Sequence, residues 1–298
     1  MASEPRPPVT ILGRGRVGRS LAGALADAGV AVTVRSARED ASFAAGFAAD
    51  ELVVLAVPDG AIGAVAERVA AAIADASSAS VAPANDSGAS VSGESNVRRR
   101  PAVVHLSGAS GFAPLQPLAD AGFSVGIAHP FAAFPEVRSP DAFHGITVGI
   151  AASTPVLLAR LEALATAVGA VPRAVAADGW TAYHAAAVMA SNYLVVLAAQ
   201  AAELLAAAGF DPDGARDTLV PLMRGTLDNL AAEGVDNALS GPLRRGDVGT
   251  VERHLEWLDE HAPDVAAGYR ALARPGIELA VGTGLDADVA ERLRRAVG

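Results

Sequence analysis

The sequence predicts an α/β fold, in which a doubly wound parallel sheet is followed by an all-helical C-terminal domain. Short apolar segments of strand length alternate with helical segments early in the 298-residue chain, and the first strand leads into a glycine-rich turn. Beyond Asp178 no convincing strand pattern remains. A chain of this length can form two domains, each with its own core. We expect the sheet domain to cover residues 1–176 and the helical domain residues 177–298.

The segment Val9 to Arg38 reads as a strand, a glycine-rich turn, an amphipathic helix and a second strand. Gly13 permits the tight turn, Gly15 leaves no side chain between the backbone and a pyrophosphate, and Gly18 lets the helix pack closely on the sheet. This predicts a Rossmann-like dinucleotide-binding unit, and the alternative is a glycine turn kept only for packing. The residues of the turn that we expect to contact the dinucleotide are Gly13, Arg14, Gly15, Arg16, Val17 and Gly18.

The second strand is followed by basic and hydroxyl side chains. In NAD-binding domains, an acid about 20 residues beyond the glycines binds the ribose hydroxyls. Here Arg35, Ser36 and Arg38 occupy that region, and the first acids are Glu39 and Asp40. An arginine that bonds a 2′-phosphate contributes about 1.5–3 kcal/mol, or about 10- to 150-fold in affinity. We therefore predict NADP as the cofactor, whereas the alternative is that these arginines belong to a solvated loop.

Three further apolar segments have the composition of buried parallel strands: residues 52–57, 103–106 and 125–128. Turn-forming or polar residues follow these segments: Pro58 and Asp59 after Val57; Ser107 and Gly108; His129 and Pro130. Ligands of open α/β sheets bind at the carboxyl ends of the strands. We therefore expect Val57, Pro58 and Asp59 to contact the cofactor, and Ser107 and Gly108 to contact a substrate or, alternatively, the nicotinamide.

The segment from Asp75 to Asn96 is rich in Ser, Ala and Asn and cannot supply a core, so it predicts a disordered surface insertion. Residues 146–150 and 171–175 are two more strand candidates, on either side of a leucine-bearing helix. From Thr181 to Ala208 the composition is helical throughout. One helix of that length would extend about 40 Å, more than a small domain can cover. This predicts a homodimer joined through the helical domain.

The composition excludes several classes of protein. A net charge of −10 and a pI near 5.0 argue against nucleic acid as a partner. No uninterrupted apolar run approaches the roughly 18 residues of a membrane span, and the first residues do not resemble a signal peptide. With no cysteine the chain has no disulfide, and its six histidines lack metal-ligand spacing. We expect a cytoplasmic protein without a metal site.

Together with the glycine turn, three segments carry a resemblance to a known family: residues 126–135, 181–197 and 238–258. They resemble a family of NADP oxidoreductases that joins a Rossmann-like domain to a C-terminal helical domain of unknown function. The resemblance covers nearly the whole chain apart from the predicted insertion. It implies a reductase or dehydrogenase similar in architecture to pyrroline-5-carboxylate reductase, ketopantoate reductase, prephenate dehydrogenase and other proteins with a helical domain like that of 6-phosphogluconate dehydrogenase.

Hydride transfer to a carbonyl needs a proton donor beside the oxygen and polar groups that hold the substrate. His184 and Asn192 lie eight residues apart, or about 80° on a helix, and Ser191 is almost in line with His184. In the related hydroxyacid dehydrogenases a lysine and an asparagine occupy this helix. This chain contains no lysine, so we expect His184 to be the acid, with Ser191 contacting substrate. The alternative is that His184 is a core histidine.

Two other candidates remain open. His129 competes with His184 for the role of the acid, because prephenate dehydrogenase has a similar His-Pro beside its substrate, although Pro130 could equally mark a structural turn. Arg245 could bind a substrate carboxylate bidentately. Asp247 is expected to be structural, as the N-cap of the next helix.

The favoured hypothesis is therefore NADPH-dependent reduction of a small carbonyl acid, with ketopantoate as the first candidate substrate. Reduction of an imine such as pyrroline-5-carboxylate is the main alternative, and a deazaflavin-linked NADP reductase is a weaker one. From another class, a sensor or scaffold would bind NADP without turning it over, which the missing lysine makes more plausible.

Overall fold

The computed structural model describes residues 7–79 and 100–298. By its internal contacts the chain divides into two compact units, Met1–Asn192 and Tyr193–Gly298. This boundary differs from the expected one after residue 176, because the helix that follows the last strand belongs to the first unit. Residues 80–96 of the predicted insertion lie outside the described residues. Residues 75–79, expected to begin that insertion, instead continue a helix, Ile62–Ala79, whose preceding turn at residues 70–74 is rich in alanine.

The first unit contains a seven-stranded sheet within its described residues. The strands are β1 Val9–Leu12, β2 Val32–Arg35, β3 Leu52–Leu55, β4 Ala102–His105, β5 Val125–Pro130, β6 Thr147–Ala152 and β7 Val171–Ala174. Their order is β2-β1-β3-β4-β5-β6-β7, and every pair is parallel except β5 with β6. The chain reverses its direction across the sheet between β1 and β3, which is the switch point where open α/β sheets bind ligands.

Helices cover both faces of this sheet. They are α1 Arg16–Asp27, α2 Ala41–Ala44, α3 Ile62–Ala79, α4 Gln116–Asp120, α5 Pro155–Ala167 and α6 Trp180–Ala190. Successive residues of β1 point to opposite faces, so Ile11 belongs to the core cluster that contains Leu25 and Leu161, whereas Leu12 belongs to the cluster that contains Ile62 and Leu115. Two buried cores on one sheet confirm the predicted doubly wound architecture.

The helix expected over Thr181 to Ala208 is broken. α6 ends at Ala190, Ser191 adopts φ −115° and ψ −68°, and α7 (Asn192–Ala207) follows. Ser and Asn are weak helix formers because their side chains compete for backbone hydrogen bonds. With 11 and 16 residues, the two helices extend about 17 Å and 24 Å. The inference of a dimer from one helix of about 40 Å was therefore wrong in its premise.

The second unit is helical throughout. After α7 it contains α8 Pro212–Glu233, α9 Val235–Ala238, α10 Gly241–Arg245, α11 Val248–His261, α12 Pro263–Gly282 and α13 Ala287–Val297. Its main core joins α11, α12 and α13 through buried residues such as Val251, Ile277 and Leu293. The predicted all-helical C-terminal part is confirmed. Among the described residues, the stretch Trp180–Ala207 is long and apolar enough to cross a membrane by length and composition only, and its most apolar 18 residues are not buried inside the structure.

Candidate active site

The glycine turn joins β1 to α1, and its three glycines have different surroundings. Gly13 has φ +131°, and a Cβ atom there would lie 2.1 Å from the carbonyl oxygen of Ala56. A Cβ at Gly18 would lie 2.6 Å from the oxygen of Gly13. At Gly15, by contrast, nothing lies within 4 Å of the added atom. Gly13 and Gly18 therefore permit close packing, and Gly15 leaves open space above the turn.

A cavity of about 360 Å³ lies at the carboxyl ends of the strands, beside this turn. Nine of the residues predicted to contact a cofactor or substrate, or to be catalytic, line it: Gly15, Arg16, Val17, Gly18, Val57, Pro58, Asp59, Ser107 and His129. The first turn of α1 carries no acidic side chain. Because unpaired N–H groups at a helix N-terminus attract anions, this arrangement fits the diphosphate of a dinucleotide.

The loop after β4 is held by a histidine that the sequence analysis did not consider. His105 is fully buried, its Nδ1 accepts a hydrogen bond from the Ser107 N–H at 3.1 Å, and its Nε2 lies 2.8 Å from the Gly111 oxygen. Burial lowers the pKa of His105, which favours the neutral ring with its proton on Nε2. The Ser107 hydroxyl accepts from the N–H groups of Ala109 and Ser110. A histidine that interrupts an apolar strand was the available signal.

His129 lies at the end of β5, against Gly108. A Cβ at Gly108 would lie 2.9 Å from Cε1 of the imidazole, so the absence of a side chain there makes room for the ring. Burial, and then the neighbouring His184, lower the pKa of His129 to about 4. Its Nδ1 atom is buried and has no hydrogen-bond partner among the described residues. The ring is therefore neutral near pH 7, with one polar atom unsatisfied.

A second cavity, of about 550 Å³, lies between the chain after β5 and α6. His129, His184, Ser191 and Asn192 all line it, so the three predicted catalytic residues and one predicted substrate contact meet there. The ring centroids of the two histidines are 6.0 Å apart. The remaining wall is apolar and includes Phe131. His129 lines both cavities, since it also borders the one beside the glycine turn.

Tyr183 fixes α6 on the sheet and was also missed by the sequence analysis. Its hydroxyl donates to the His129 oxygen at 3.2 Å and accepts from the Gly149 N–H at 3.1 Å. A Cβ at Gly149 would lie 2.7 Å from the tyrosine ring. Burial raises the pKa of Tyr183. Through these two bonds Tyr183 holds α6 against β5 and β6, one residue before His184.

Of the predicted arginines, Arg35 has partners within its own loop. Its guanidinium donates to the carbonyl oxygens of Ser42 at 3.1 Å and Gly46 at 2.8 Å, and lies over the Phe47 ring. The Arg38 N–H donates to the Ser36 hydroxyl at 3.3 Å, and the Arg38 side chain is exposed. These three predicted contacts of the 2′-phosphate do not line the cavity beside the glycine turn.

Arg245 ends α10, in the second unit. Next to it, Gly246 is left-handed and Asp247 caps α11, where its carboxylate accepts from the Thr250 N–H at 3.1 Å and from the Thr250 hydroxyl at 2.7 Å. These bonds hold the pKa of Asp247 below its usual range. The predicted structural role of Asp247 is confirmed. Within residues 7–79 and 100–298, no group of three or more acidic or histidine side chains could hold a metal ion.

Comparisons with known proteins bear on the fold. Residues 146–275 match a domain of unknown function, DUF2520, and no curated protein matches the chain. A Bacteroides fragilis protein named as a candidate NADP oxidoreductase aligns with 22% identity and a TM-score of 0.64, covering 91% of this chain and 98% of its own. A protein from Thermotoga maritima aligns with 19% identity and a TM-score of 0.66, covering 92% and 99%.

A third similar structure is the pyrroline carboxylate reductase of Plasmodium falciparum, solved with NADP bound. It aligns with 9% identity and a TM-score of 0.56, and the alignment covers 99% of each chain. Identities this low show the fold alone. The chain therefore has the fold of Rossmann-like NADP oxidoreductases with a helical C-terminal part, which confirms the predicted resemblance at that level.

Proposed function

We propose that this protein is an NADP-dependent reductase of a small carbonyl compound. The observation that carries the proposal is the position of His129, which borders both the cavity beside the glycine turn and the cavity that contains His184 and Asn192. A dinucleotide in the first cavity and a small molecule in the second would thus meet at one imidazole. A bound NADPH supplies the hydride in such a reaction.

The residues of the first cavity would hold the cofactor. Backbone N–H groups at the start of α1 would bind the diphosphate, and the open space at Gly15 would let it approach the backbone. Residues 57–59 at the end of β3 form the opposite wall. The Ser107 loop, fixed by His105, borders the same cavity.

In the second cavity, the proton for the carbonyl oxygen would come from His184. His129 is a poor source, because with its pKa at about 4 the ring carries almost no additional proton near pH 7. A neutral imidazole can still orient a carbonyl by a hydrogen bond, and a substrate oxygen or water would satisfy the unpaired Nδ1. Asn192 and Ser191, at the break between α6 and α7, would bind other polar atoms of the substrate.

We favour a carbonyl acid as the substrate, with ketopantoate as the first candidate, and Arg245 as the group for its carboxylate. The two imidazoles support a carbonyl rather than an imine, because a carbonyl oxygen must gain a proton during reduction whereas an iminium arrives protonated. Imine reduction remains the alternative, since pyrroline carboxylate reductase shares the fold. The third possibility is a sensor that binds NADP without turnover.

A panel assay separates these functions. Purified protein is mixed with NADPH and, in turn, ketopantoate, other 2-oxo acids and pyrroline-5-carboxylate, while NADPH absorbance and fluorescence are followed. Oxidation with a carbonyl acid is the expected result. Oxidation with the imine alone would favour the alternative, and fluorescence changes without any oxidation would favour the sensor.

We also propose a homodimer formed through the helical unit. The dimer is supported by the exposed apolar surface of α7, rather than by the length of one helix. On this surface Tyr193, Val195 and Val196 are 55%, 69% and 51% exposed. Contiguous apolar surface of this kind commonly marks an interface. A small-molecule substrate, a cytoplasmic location and the lack of nucleic-acid or membrane partners remain predictions from the sequence.

A further inference from the structure

We propose that Arg14 binds the 2′-phosphate of NADP and that Glu39 competes with this phosphate for the same guanidinium. The inference rests on the proposed NADP-binding function and names the residues that would set the preference for NADP over NAD. The contact with the 2′-phosphate that the sequence predicts for Arg35 is thereby assigned to Arg14, in the glycine turn.

Two arginines near the end of β2 hold the following loop in place. Arg35 donates to two carbonyl oxygens of the loop, as described above. Arg68, from α3, donates to the Ala37 oxygen at 2.7 Å, pairs with Asp40 at 2.6 Å and lies 3.9 Å from the Phe43 ring centroid. Turning either guanidinium toward a ligand would leave carbonyl oxygens of the loop without these donors. Both residues therefore position the loop.

Arg14 does not bond carbonyl oxygens of this loop but makes an exposed ion pair with Glu39. The atom Nη1 of Arg14 lies 3.2 Å from Oε1 of Glu39, and the two side chains are 59% and 56% exposed. An exposed ion pair of this kind contributes at most about 1 kcal/mol, so a stronger anion can break it. The pair connects the glycine turn directly to the loop after β2. In Rossmann-like domains the adenosine ribose lies in this region, and its 2′ position distinguishes the two cofactors.

Arg14 also faces open space. With Arg19, Ala22 and Val34 it lines a depression of about 390 Å³ beside the edge strand β2. Two guanidinium groups and two apolar side chains make this depression suited to an anion. Both arginines are exposed, so neither would have to be withdrawn from a buried partner.

Glu39 would make the Arg14–Glu39 pair select NADPH over NADH. A phosphate monoester carries a charge of about −1.5 to −2 at neutral pH, compared with −1 for the carboxylate, and it presents more acceptor oxygens. NADPH can therefore displace Glu39 from Arg14. NADH offers no anion at that position, so Arg14 stays on Glu39, and the acid that could otherwise accept a bond from a ribose hydroxyl remains occupied.

The test is a titration of NADPH and NADH into the full-length wild type, Arg14→Gln, Glu39→Gln and the double variant. Arg14→Gln should weaken NADPH binding about 10- to 100-fold, the range for loss of a charge-assisted bond, and change NADH binding less than about threefold. Glu39→Gln should strengthen NADPH binding about two- to fivefold, because the competing carboxylate is gone. The double variant should show no such gain.

Arg173→Gln is the matched control, since it removes an exposed arginine from β7 at the other edge of the same sheet. It should leave both affinities unchanged. Competition by adenosine 2′,5′-bisphosphate and by AMP provides a second readout that needs no redox chemistry: Arg14→Gln should weaken only the bisphosphate. Melting temperatures confirm that each variant is folded.

The outcomes separate the two proposals. A wild type that binds neither cofactor would overturn both the proposed function and this inference. A wild type that binds NADPH, combined with an Arg14→Gln variant that keeps its NADPH affinity or loses both cofactors equally, would overturn the inference alone. A wild type that prefers NADH would overturn the inference together with the NADP dependence in the proposed function.

Discussion

The imidazole rings of His129 and His184 meet edge to face, with centroids 6.0 Å apart and planes at 71°. One ring comes from the end of a central strand and the other from the helix that follows the sheet, so they meet only in the folded protein. Each lines the second cavity, and His129 alone of the two lines the cavity beside the glycine turn. This asymmetry suggests separate roles for the two rings.

His184→Gln should lower turnover at least about 100-fold, the usual contribution of a positioned acid, while NADPH affinity changes less than about threefold. Steady-state kinetics on the substrate found by the panel assay, with fluorescence titration of NADPH, measure both quantities. Asn192→Ala should behave similarly. If His184→Gln kept near-normal turnover and His129→Gln lost it, the acid would be His129.

Two substitutions in the glycine turn should have different effects, one on NADPH binding and the other on stability. Gly15→Val adds a side chain to open space, so the melting temperature should remain within about 2 °C of the wild type while NADPH binding is lost. Gly13→Ala places a methyl group at φ +131° and against the Ala56 oxygen, so it should destabilise the fold by several kcal/mol. Thermal melting and NADPH titration, done on both variants, distinguish the two effects. Equal loss of stability in both would contradict the different surroundings of these glycines.

Tyr183→Phe should reduce the free energy of unfolding by about 1–3 kcal/mol. The substitution keeps the ring but removes a hydroxyl that bonds both the Gly149 N–H and the His129 oxygen, and leaves those partly buried groups unpaired. Urea denaturation measures the change. Thr181→Val, which removes an exposed hydroxyl from the same helix, is the control and should change stability by less than about 0.5 kcal/mol.

The stability of the protein should fall as the pH decreases from about 6.5 to about 4. The pKa of His129 is lowered to about 4 in the folded state, whereas in the unfolded chain it lies near 6.5. Between these values the unfolded state binds the additional proton and the folded state does not, so acid favours unfolding. The contribution is present above about pH 6.5 and reaches at most about 1.4 kcal/mol per pH unit within the window.

His129→Gln should reduce that slope, and urea denaturation at a series of pH values measures it. The pKa of His105 is lowered in the same direction, so part of the slope will persist in the variant. An identical slope in the wild type and in His129→Gln would show that His129 is not held neutral by burial.

The sequence predicted the sheet well because its signals are local. The apolar runs of β1, β3 and β4 are buried on both faces, and the glycine spacing of the turn reflects contacts with nearby backbone. The break at Ser191 could not be predicted with the same certainty. Alanine-rich sequence favours helix on both sides of it, and the weak preferences of a serine and an asparagine decide the outcome.

The types of residue in the site could be predicted from the sequence, but the groups to which those residues hydrogen-bond could not. A histidine after a strand and a histidine in a helix were recognisable as candidates. The roles of Arg35, His105 and Tyr183 depend on carbonyl and N–H groups 2 to 54 residues away in the chain. No periodicity or spacing encodes such bonds, so an arginine expected to contact a ligand was found bonded to its own loop.

Transfer of deuterium from NADPH labelled at its transferable position shows whether cofactor and substrate meet at His129. The labelled cofactor is incubated with the protein and the most active carbonyl acid of the panel, and the product is analysed by mass spectrometry. A reductase in which cofactor and substrate meet at His129 should give a hydroxy acid that carries one deuterium on carbon, and His184→Gln should give the same product far more slowly. NADPH that binds at the glycine turn but transfers no deuterium to any carbonyl acid or imine would contradict the account.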